Sequence, residues 1–278
     1  MKAEAQVSAH YTRGKLEEAI LAAARAAGKD GGALAAADLA PVDEFHVGGL
    51  ESTQILARGM GLRPGMRLLD VGSGIGGPAR YFAGEYQCRV TGVDLTEEFV
   101  QVAQSLTRRV GLEGTAEFQL VSATGMPFEP ETFDGAYMIH VGMNLPDKAS
   151  VFREVARVLK PGAAFTIFDL VRDNPAPLHF PLPWAVSEET SFVSDLAAYR
   201  AALAQAGLTV EGETSHRAFA IEFTQRNAAR IAAGGPPALG LHILMGEKTP
   251  LMLKNVLIAL TEGVLDPLEI RARKNRAG

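Results

Sequence analysis

The sequence contains a single cysteine among its 278 residues, which excludes a fold stabilised by internal disulfides. That residue, Cys88, stands at the start of a predicted strand, and we interpret it as a small buried hydrophobic side chain rather than as a nucleophile. Histidine, cysteine and carboxylate residues do not recur at the spacings of metal sites. We therefore expect no metal ion to be required.

Long apolar runs and an excess of basic residues are also missing. No apolar stretch reaches the roughly 20 residues that span a bilayer, and the N-terminal residues lack the pattern of a signal peptide. The formal net charge is -5, whereas proteins that bind phosphate backbones normally carry a basic excess. The sequence therefore predicts neither a membrane nor a nucleic acid as partner, and it predicts a cytoplasmic location.

Short apolar segments alternate with amphipathic ones along most of the chain. This alternation is typical of an α/β fold with an open, mostly parallel sheet that carries helices on both faces. Strands are predicted at residues 67–71, 89–94, 116–121, 133–139, 163–170, 208–214 and 268–273. Helices are predicted at residues 15–27, 49–59, 78–86, 97–109, 147–159, 196–206, 223–232 and 250–262. We thus predict a sheet of seven strands.

The segments outside this alternation divide the chain. Residues 1–60 are predicted to form a helical lid, and residues 61–217 the sheet core, with a proline-rich substrate loop at 172–193. Residues 218–266 are longer than a connection between strands needs, so we interpret them as a helical cap. Residues 267–278 supply the last strand and a tail.

A glycine-rich segment, residues 70–77, follows the first predicted strand. Ligands of open α/β sheets bind beyond the carboxyl ends of the strands, where glycines allow a tight turn and the next helix offers free amides. Asp94 ends the second strand, and a carboxylate there accepts both hydroxyls of a ribose in dinucleotide sites. A nucleotide-like ligand is therefore expected. Because Gly72, Gly74 and Gly77 also fit the dinucleotide fingerprint, a nicotinamide cofactor is an alternative.

Four segments, in order and spacing, carry a family resemblance: LLDVGSGIGGPARYFA, VTGVDLTEEFVQVAQ, MPFEPETFD and EVARVLKPGAAFTIFD. Over residues 61–170 the chain resembles the class I S-adenosylmethionine-dependent methyltransferases. Within that family it is most similar to the ubiquinone and menaquinone C-methyltransferases, the sarcosine/dimethylglycine N-methyltransferases and the tocopherol methyltransferases. The resemblance implies a Rossmann-like core, S-adenosylmethionine as cofactor and S-adenosylhomocysteine as product. It also implies a small-molecule methyl acceptor, with the accepting atom (oxygen, nitrogen or carbon) left open.

The resemblance also implies which residues hold the cofactor. Those expected around its methionine part are Asp70, Gly72, Ser73, Gly74 and Gly76, and those expected around its ribose and adenine are Asp94, Leu95, Ser122 and Ala123. The charge of Asp70 would meet the cofactor's ammonium group. Ser122 is a departure, because relatives usually carry an aspartate there that binds the adenine amino group. A neutral hydroxyl is a weaker acceptor than a carboxylate.

His140, which follows the fourth strand, is the predicted catalytic residue. It is interpreted either as a general base, apt because its pKa lies near neutrality, or as a ring that only packs on the cofactor. The predicted substrate-binding residues are Tyr11, His46, Asn144, His179 and Trp184. Alternative interpretations are Tyr11 as a surface aromatic on a terminal helix, Asn144 as a turn cap, and the two proline-loop residues as a hydrophobic plug.

Two other functions stay open at this point. The chain is alternatively a cofactor-binding regulatory protein that does not catalyse, or an NAD-dependent oxidoreductase. Apolar cap helices are also compatible with a homodimer.

Overall fold

The computed structural model describes residues 2–29 and 34–276. Its strands are β1 (Arg67–Val71), β2 (Arg89–Asp94), β3 (Ala116–Leu120), β4 (Phe133–Ile139), β5 (Leu159–Arg172), β6 (Leu208–Ser215) and β7 (Leu265–Lys274). They form one seven-stranded sheet in the order β3-β2-β1-β4-β5-β7-β6. β7 pairs antiparallel with β5 and β6, and the other pairings are parallel. The predicted α/β fold with a mostly parallel, seven-stranded sheet is confirmed.

The helices occupy the connections between strands and the stretch before the sheet. They are α1 (Lys2–Tyr11), α2 (Leu16–Ala26), α3 (Ala36–Asp43), α4 (Gly49–Gly59), α5 (Gly77–Tyr86), α6 (Glu97–Arg109), α7 (Lys148–Val158), α8 (Leu196–Gln205), α9 (Arg217–Gly234), α10 (His242–Met245) and α11 (Thr249–Thr261). The segment predicted as a lid contains α1–α4, but its residues 1 and 30–33 lie outside the described part of the chain. The segment predicted as a cap contains α9–α11.

Several predicted boundaries are wrong. β5 begins at Leu159 rather than at residue 163, because a register irregularity in its pairing with β4 lets the Lys-Pro-Gly segment continue in extended conformation. α9 is longer at both ends than the predicted 223–232, since only Ala220 on it is buried and the apolar periodicity is weak. Thr96 stands at the N-cap position of α6, but its side chain makes no capping hydrogen bond.

Apolar side chains cover both faces of the sheet, as the continuous apolar runs of β4 and β5 require. On one face, Phe152 of α7 and Leu203 of α8 pack against β5 in one core cluster. On the other face, Phe82 of α5 and Ala103 of α6 pack against β1 and β2, in a cluster that also contains the fully buried Cys88. The interpretation of Cys88 as a buried hydrophobic side chain is confirmed.

The helices outside the sheet pack over the carboxyl ends of the parallel strands. A third apolar cluster joins Leu16 of α2, Leu39 of α3 and Leu244 of α10 to Ile75, which lies in the glycine-rich segment after β1. The strand order reverses its direction at β1, which lies between β2 and β4. Open α/β sheets bind ligands at such a point. In this fold, the point is enclosed between the N-terminal helices and the α9–α11 segment.

None of the helices in the described ranges, 2–29 and 34–276, is both long and apolar enough to cross a membrane.

Candidate active site

The glycine-rich segment after β1 folds back over the end of β2. The backbone amides of Gly72 and Ser73 both donate to the carbonyl of Val93, at 2.8 and 3.0 Å. Gly72 has a φ of +73°, and a Cβ there would lie 2.5 Å from a methyl carbon of Val141. Gly74 has a φ of +53°, but a Cβ built on it meets no atom within 4 Å. Gly72 is thus needed for packing, whereas Gly74 presents open space to the cavity.

Gly76 differs from the other predicted cofactor residues. It does not line the cavity, and a Cβ there would lie 2.5 Å from the ring of Phe118. Its φ of +84° allows the chain to turn into α5. The structure thus does not bring Gly76 to the cavity wall, and this glycine serves the turn and the packing beneath it.

Two polar side chains of this segment are buried without a partner among the described residues. They are Asp70, through its Oδ2 atom, and Ser73, through its hydroxyl. Burial raises the pKa of Asp70 to about 8; the hydroxyl of Tyr137 opposes this shift and the charge of Asp94 adds to it. An unsatisfied buried polar group costs about 1–3 kcal/mol. Both residues line the cavity, so a ligand that hydrogen-bonds to them would remove this cost.

Asp94, at the end of β2, forms another part of the cavity wall. Its Oδ2 accepts the amide of Gly74 and its Oδ1 accepts the amide of Thr96, each at 2.8 Å. Burial raises the pKa of Asp94, and the backbone hydrogen bonds oppose that shift. A carboxylate offers about four acceptor sites, which is more than two amides occupy. Thr96, the N-cap residue of α6, also lines the cavity beside Asp94.

The end of β3 completes this part of the cavity. Leu95, Ser122 and Ala123 all line it, as predicted for residues around an adenine ring. The hydroxyl of Ser122 donates to Oε1 of Glu4 at 2.6 Å. Glu4 belongs to α1 and was not singled out from the sequence.

His140 extends beyond β4 in a strained conformation. Its φ is +54°, which is uncommon for a side chain other than glycine, and its backbone amide donates to the Phe168 carbonyl at 2.7 Å. The Nε2 atom is buried without a hydrogen-bond partner in the described structure. Burial, and then the neighbouring His46, lower the pKa of His140 well below its ordinary value of 6.5. The imidazole is therefore neutral at physiological pH.

His46 lies against His140, with 5.9 Å between ring centroids. Its Nε2 atom is 3.1 Å from the carbonyl of Gly49 and 3.1 Å from the hydroxyl of Thr53. Burial lowers the pKa of His46 to about 4, although its hydrogen bond to Gly49 opposes the shift. A neutral ring held by backbone and hydroxyl groups suits a wall residue better than a proton carrier.

The remaining predicted residues divide into two groups. Tyr11 of α1 donates its hydroxyl to Oδ1 of Asn144 at 3.2 Å, so these two predicted substrate-binding residues meet across the cavity. Trp184 also lines the cavity, but it is buried and its Nε1 donates to the Ser191 hydroxyl at 2.9 Å. His179 is exposed and lies outside the cavity.

The structure therefore does not bring His179 to the cavity. Its neighbours Leu178 and Phe180 pack into the apolar cluster beneath the proline-rich loop. Those contacts leave the intervening histidine on the solvent side.

The cavity that these residues line has a volume of about 1560 Å³. Apolar residues from β5, from the loops after β4 and β5 and from α9–α11 also line the cavity. Its apolar residues include Met143, Leu170, Trp184, Phe223, Ile231, Leu244, Met245, Leu253 and Val256. The cavity thus combines polar groups at the strand ends with a largely apolar lining elsewhere.

Comparison with known proteins agrees with this geometry. Residues 69–167 match the family model described as a methyltransferase domain. The sheet core of the chain is thus similar to a methyltransferase domain. Cycloartenol-C-24-methyltransferase 1 of Oryza sativa subsp. japonica is 40% identical over 114 residues, which are 41% of this chain and 33% of that protein. The chain spans between 28% and 48% of the length of seven further relatives.

Solved structures share the fold over a longer stretch. Geranyl diphosphate C-methyltransferase from Streptomyces coelicolor A3(2) superposes with a TM-score of 0.72 at 15% identity, covering 99% of this chain and 98% of the other. The [4+2]-cyclase SpnF superposes with a TM-score of 0.65 at 23% identity, covering 81% of each chain. The methyltransferase fold is therefore confirmed over nearly the whole chain.

Proposed function

We propose that this protein is an S-adenosylmethionine-dependent methyltransferase that acts on a small, largely apolar acceptor. One observation carries the proposal: the buried and unpartnered Asp70 and Ser73 face a cavity whose other wall is Asp94. Methyl transfer from the cofactor would leave S-adenosylhomocysteine as product. The cytoplasmic location and the homodimer stay predictions.

The residues present fit this cofactor. Asp70 would receive its ammonium group, which supplies the donor that Oδ2 lacks, and Asp94 would accept the ribose hydroxyls. Gly74 leaves the space that the cofactor's methionine part would fill. Leu95 and Ala123 would flank the adenine ring. When bound, S-adenosylmethionine supplies an activated methyl group for in-line displacement by the acceptor.

The protein's own contribution is alignment and exclusion of water. Holding two reactants in line is worth up to about 7–11 kcal/mol in favourable cases. Tyr11, Asn144 and His46 line the same cavity as the cofactor residues, where they would orient the acceptor. We propose that the segments 1–60 and 218–266 act as lid and cap, since both contribute to the cavity wall.

The apolar side chains that line the cavity support the choice of acceptor class. Its apolar side chains offer contact area to a hydrocarbon skeleton, beside charged side chains such as Arg226 and Lys254. The rice relative is named for a sterol and the Streptomyces one for an isoprenoid diphosphate. A direct test incubates the protein with methyl-labelled cofactor and a panel of phenols, quinones, amines and sterols. Transfer of label to a hydrophobic acceptor is the expected result, and no transfer to any class would contradict the proposal.

Substitution of Gly74 by alanine tests the placement of the cofactor. The added Cβ meets no protein atom within 4 Å, so it would intrude only on a ligand. Intrusion of this kind costs about 1–3 kcal/mol, or roughly 5- to 150-fold in affinity for S-adenosylhomocysteine. The matched control is Gly61→Ala, because Gly61 has a similar φ of +63° and also no neighbour. Both variants should lose similar thermal stability. Equal binding by both would contradict the placement.

We propose that His140 contacts the acceptor and accepts its proton or a hydrogen bond. His140→Asn keeps a polar residue that tolerates positive φ, so the fold should persist. For an acceptor that must lose a proton, we expect turnover to fall about 100-fold or more, with S-adenosylhomocysteine affinity unchanged. Burial lowers the pKa of His140. The kcat of the wild type should therefore begin to fall on acidification only below pH 6.5. Unchanged turnover of His140→Asn would show that the ring only packs.

A further inference from the structure

A buried arginine lies beneath the glycine-rich segment. Arg80, on α5, has the largest side chain among the fully buried residues that the structure describes, and its exposed fraction is 1%. Its Nη2 atom donates to Oδ2 of Asp43 at 2.7 Å and to the carbonyl of Ile75 at 2.8 Å. Its Nη1 atom donates to the Thr107 hydroxyl at 3.1 Å and to the Ala103 carbonyl at 3.4 Å. One cation thus joins α5 to α3, to the glycine-rich segment and to α6.

A cation at this position is unfavourable for folding. Arg80 stands four residues after Gly76, the N-cap of α5, near the end of the helix where the dipole disfavours positive charge. Its Nε atom is buried without a hydrogen-bond partner in the described structure. Replacement of a buried ion pair by apolar side chains is often neutral or even stabilising. Stability of the core therefore does not by itself explain why an arginine occupies this position.

The two groups that Nη2 holds both belong to the cavity wall. Asp43 is the last residue of α3, Ile75 follows Gly74 in the glycine-rich segment, and all three residues line the cavity. The amide of Gly74 is fixed by Asp94 at 2.8 Å. The carbonyl of the next residue is fixed by Arg80. The part of the segment that faces the proposed cofactor is therefore held between a carboxylate of β2 and a guanidinium of α5.

We propose that Arg80 is a positioning residue for the cofactor. By holding the Ile75 carbonyl and the Asp43 carboxylate together, it fixes the glycine-rich segment against α3. The two parts are also in close contact, since a Cβ at Gly77 would lie 2.3 Å from the carbonyl oxygen of Asp43. Arg80 does not itself line the cavity, so it acts through these two groups. This inference rests on the proposed use of S-adenosylmethionine.

The experiment measures two quantities on the full chain: the affinity for S-adenosylhomocysteine, by calorimetry, and the melting temperature. Arg80→Met removes the cation and Asp43→Asn removes the anion, so each variant leaves the other charge buried without its partner. Loss of one member of a buried pair is strongly destabilising, and the melting temperature of both variants should fall. Their affinity should fall by about 10-fold, as expected for residues that act on a site through their neighbours.

Glu154→Gln is the matched control. Glu154 also pairs with an arginine, Arg157, at 2.7 Å, and it accepts the backbone amide of Met126 at 2.7 Å. It belongs to α7 and does not line the cavity. Its substitution should lower the melting temperature but leave the affinity for S-adenosylhomocysteine within about twofold of the wild-type value.

A double variant separates positioning from stability, and it serves if the single variants do not fold. Asp43→Asn together with Arg80→Met leaves neither charge in the interior, so the melting temperature should recover relative to either single variant. The Ile75 carbonyl still lacks its donor, so affinity should stay about 10-fold below that of the wild type. Wild-type affinity in the double variant would overturn the role of Arg80 and leave the proposed function standing. A wild type that does not bind S-adenosylhomocysteine would overturn both.

Discussion

Asp94→Asn is expected to weaken S-adenosylhomocysteine binding by about 100-fold or more. Two ribose hydroxyls lose their charged acceptor, and each such bond is worth about 1.5–3 kcal/mol. The new amide nitrogen would also face the amide of Gly74 or of Thr96, which now donate to the carboxylate. The glycine-rich segment thereby loses one of its fixed points. Calorimetric titration of both proteins gives the ratio directly.

Asp134→Asn is the matched control for this variant. Asp134 also accepts a backbone amide, from Arg67 at 2.8 Å, and a hydrogen bond from Lys160 at 2.6 Å. It lies at the amino end of β4, whereas the cavity lies at the carboxyl ends of the parallel strands. Its substitution should change stability but leave affinity within about twofold, as expected for a distant site. Similar affinities for Asp94→Asn and the wild type would contradict the assignment of the ribose site.

Binding of S-adenosylhomocysteine at pH 7 is expected to release close to one proton from the protein. Burial raises the pKa of Asp70 to about 8, so about nine-tenths of the molecules carry that proton before binding. An ammonium group placed against the carboxylate favours its ionised form. The proton must then leave to the buffer. Titrations in phosphate and in Tris, which differ in enthalpy of ionisation, measure the number released.

The Asp70→Asn variant supplies the control and a second sign. It should bind the ligand weakly and release no proton. Because the folded pKa of Asp70 lies above its unfolded value of 3.8, ionisation destabilises the wild type progressively as pH rises from about 4 to 8. The melting temperature of Asp70→Asn should therefore rise relative to that of the wild type between pH 5 and pH 8. His46 and His140 titrate in both proteins, so they cancel in the difference. Equal heats in both buffers would place the ammonium group elsewhere.

The centre of the sheet was predictable because β1, β4 and β5 are apolar on both faces. β1, β2 and β4 have the predicted bounds, since each is a short apolar run ended by glycine or a polar residue. β7 is longer than predicted, because it pairs with β5 from Ala164 to Arg172 and so includes polar positions that carry no apolar signal. α9 was only partly found for the opposite reason: most of its length is exposed and has no periodic apolar face.

The candidate site was predictable where it depends on order along the chain. Asp70 and Asp94 end neighbouring parallel strands, so the topology alone brings them to one edge. Glu4 and Ser122 are separated by 118 positions in the sequence, and no local pattern indicates that α1 crosses the end of β3. The exposed position of His179 was not predictable for a related reason. The sequence of a proline-rich loop does not reveal which of its side chains turn inwards.

The account depends most directly on which nucleotide-like ligand occupies the cavity. Calorimetric titration of the wild type with S-adenosylhomocysteine and, separately, with NAD decides between the two interpretations of the glycine-rich segment. We expect micromolar binding of S-adenosylhomocysteine and no heat from NAD. Tight binding of NAD without binding of S-adenosylhomocysteine would contradict the proposed function and return the segment to a dinucleotide-binding role.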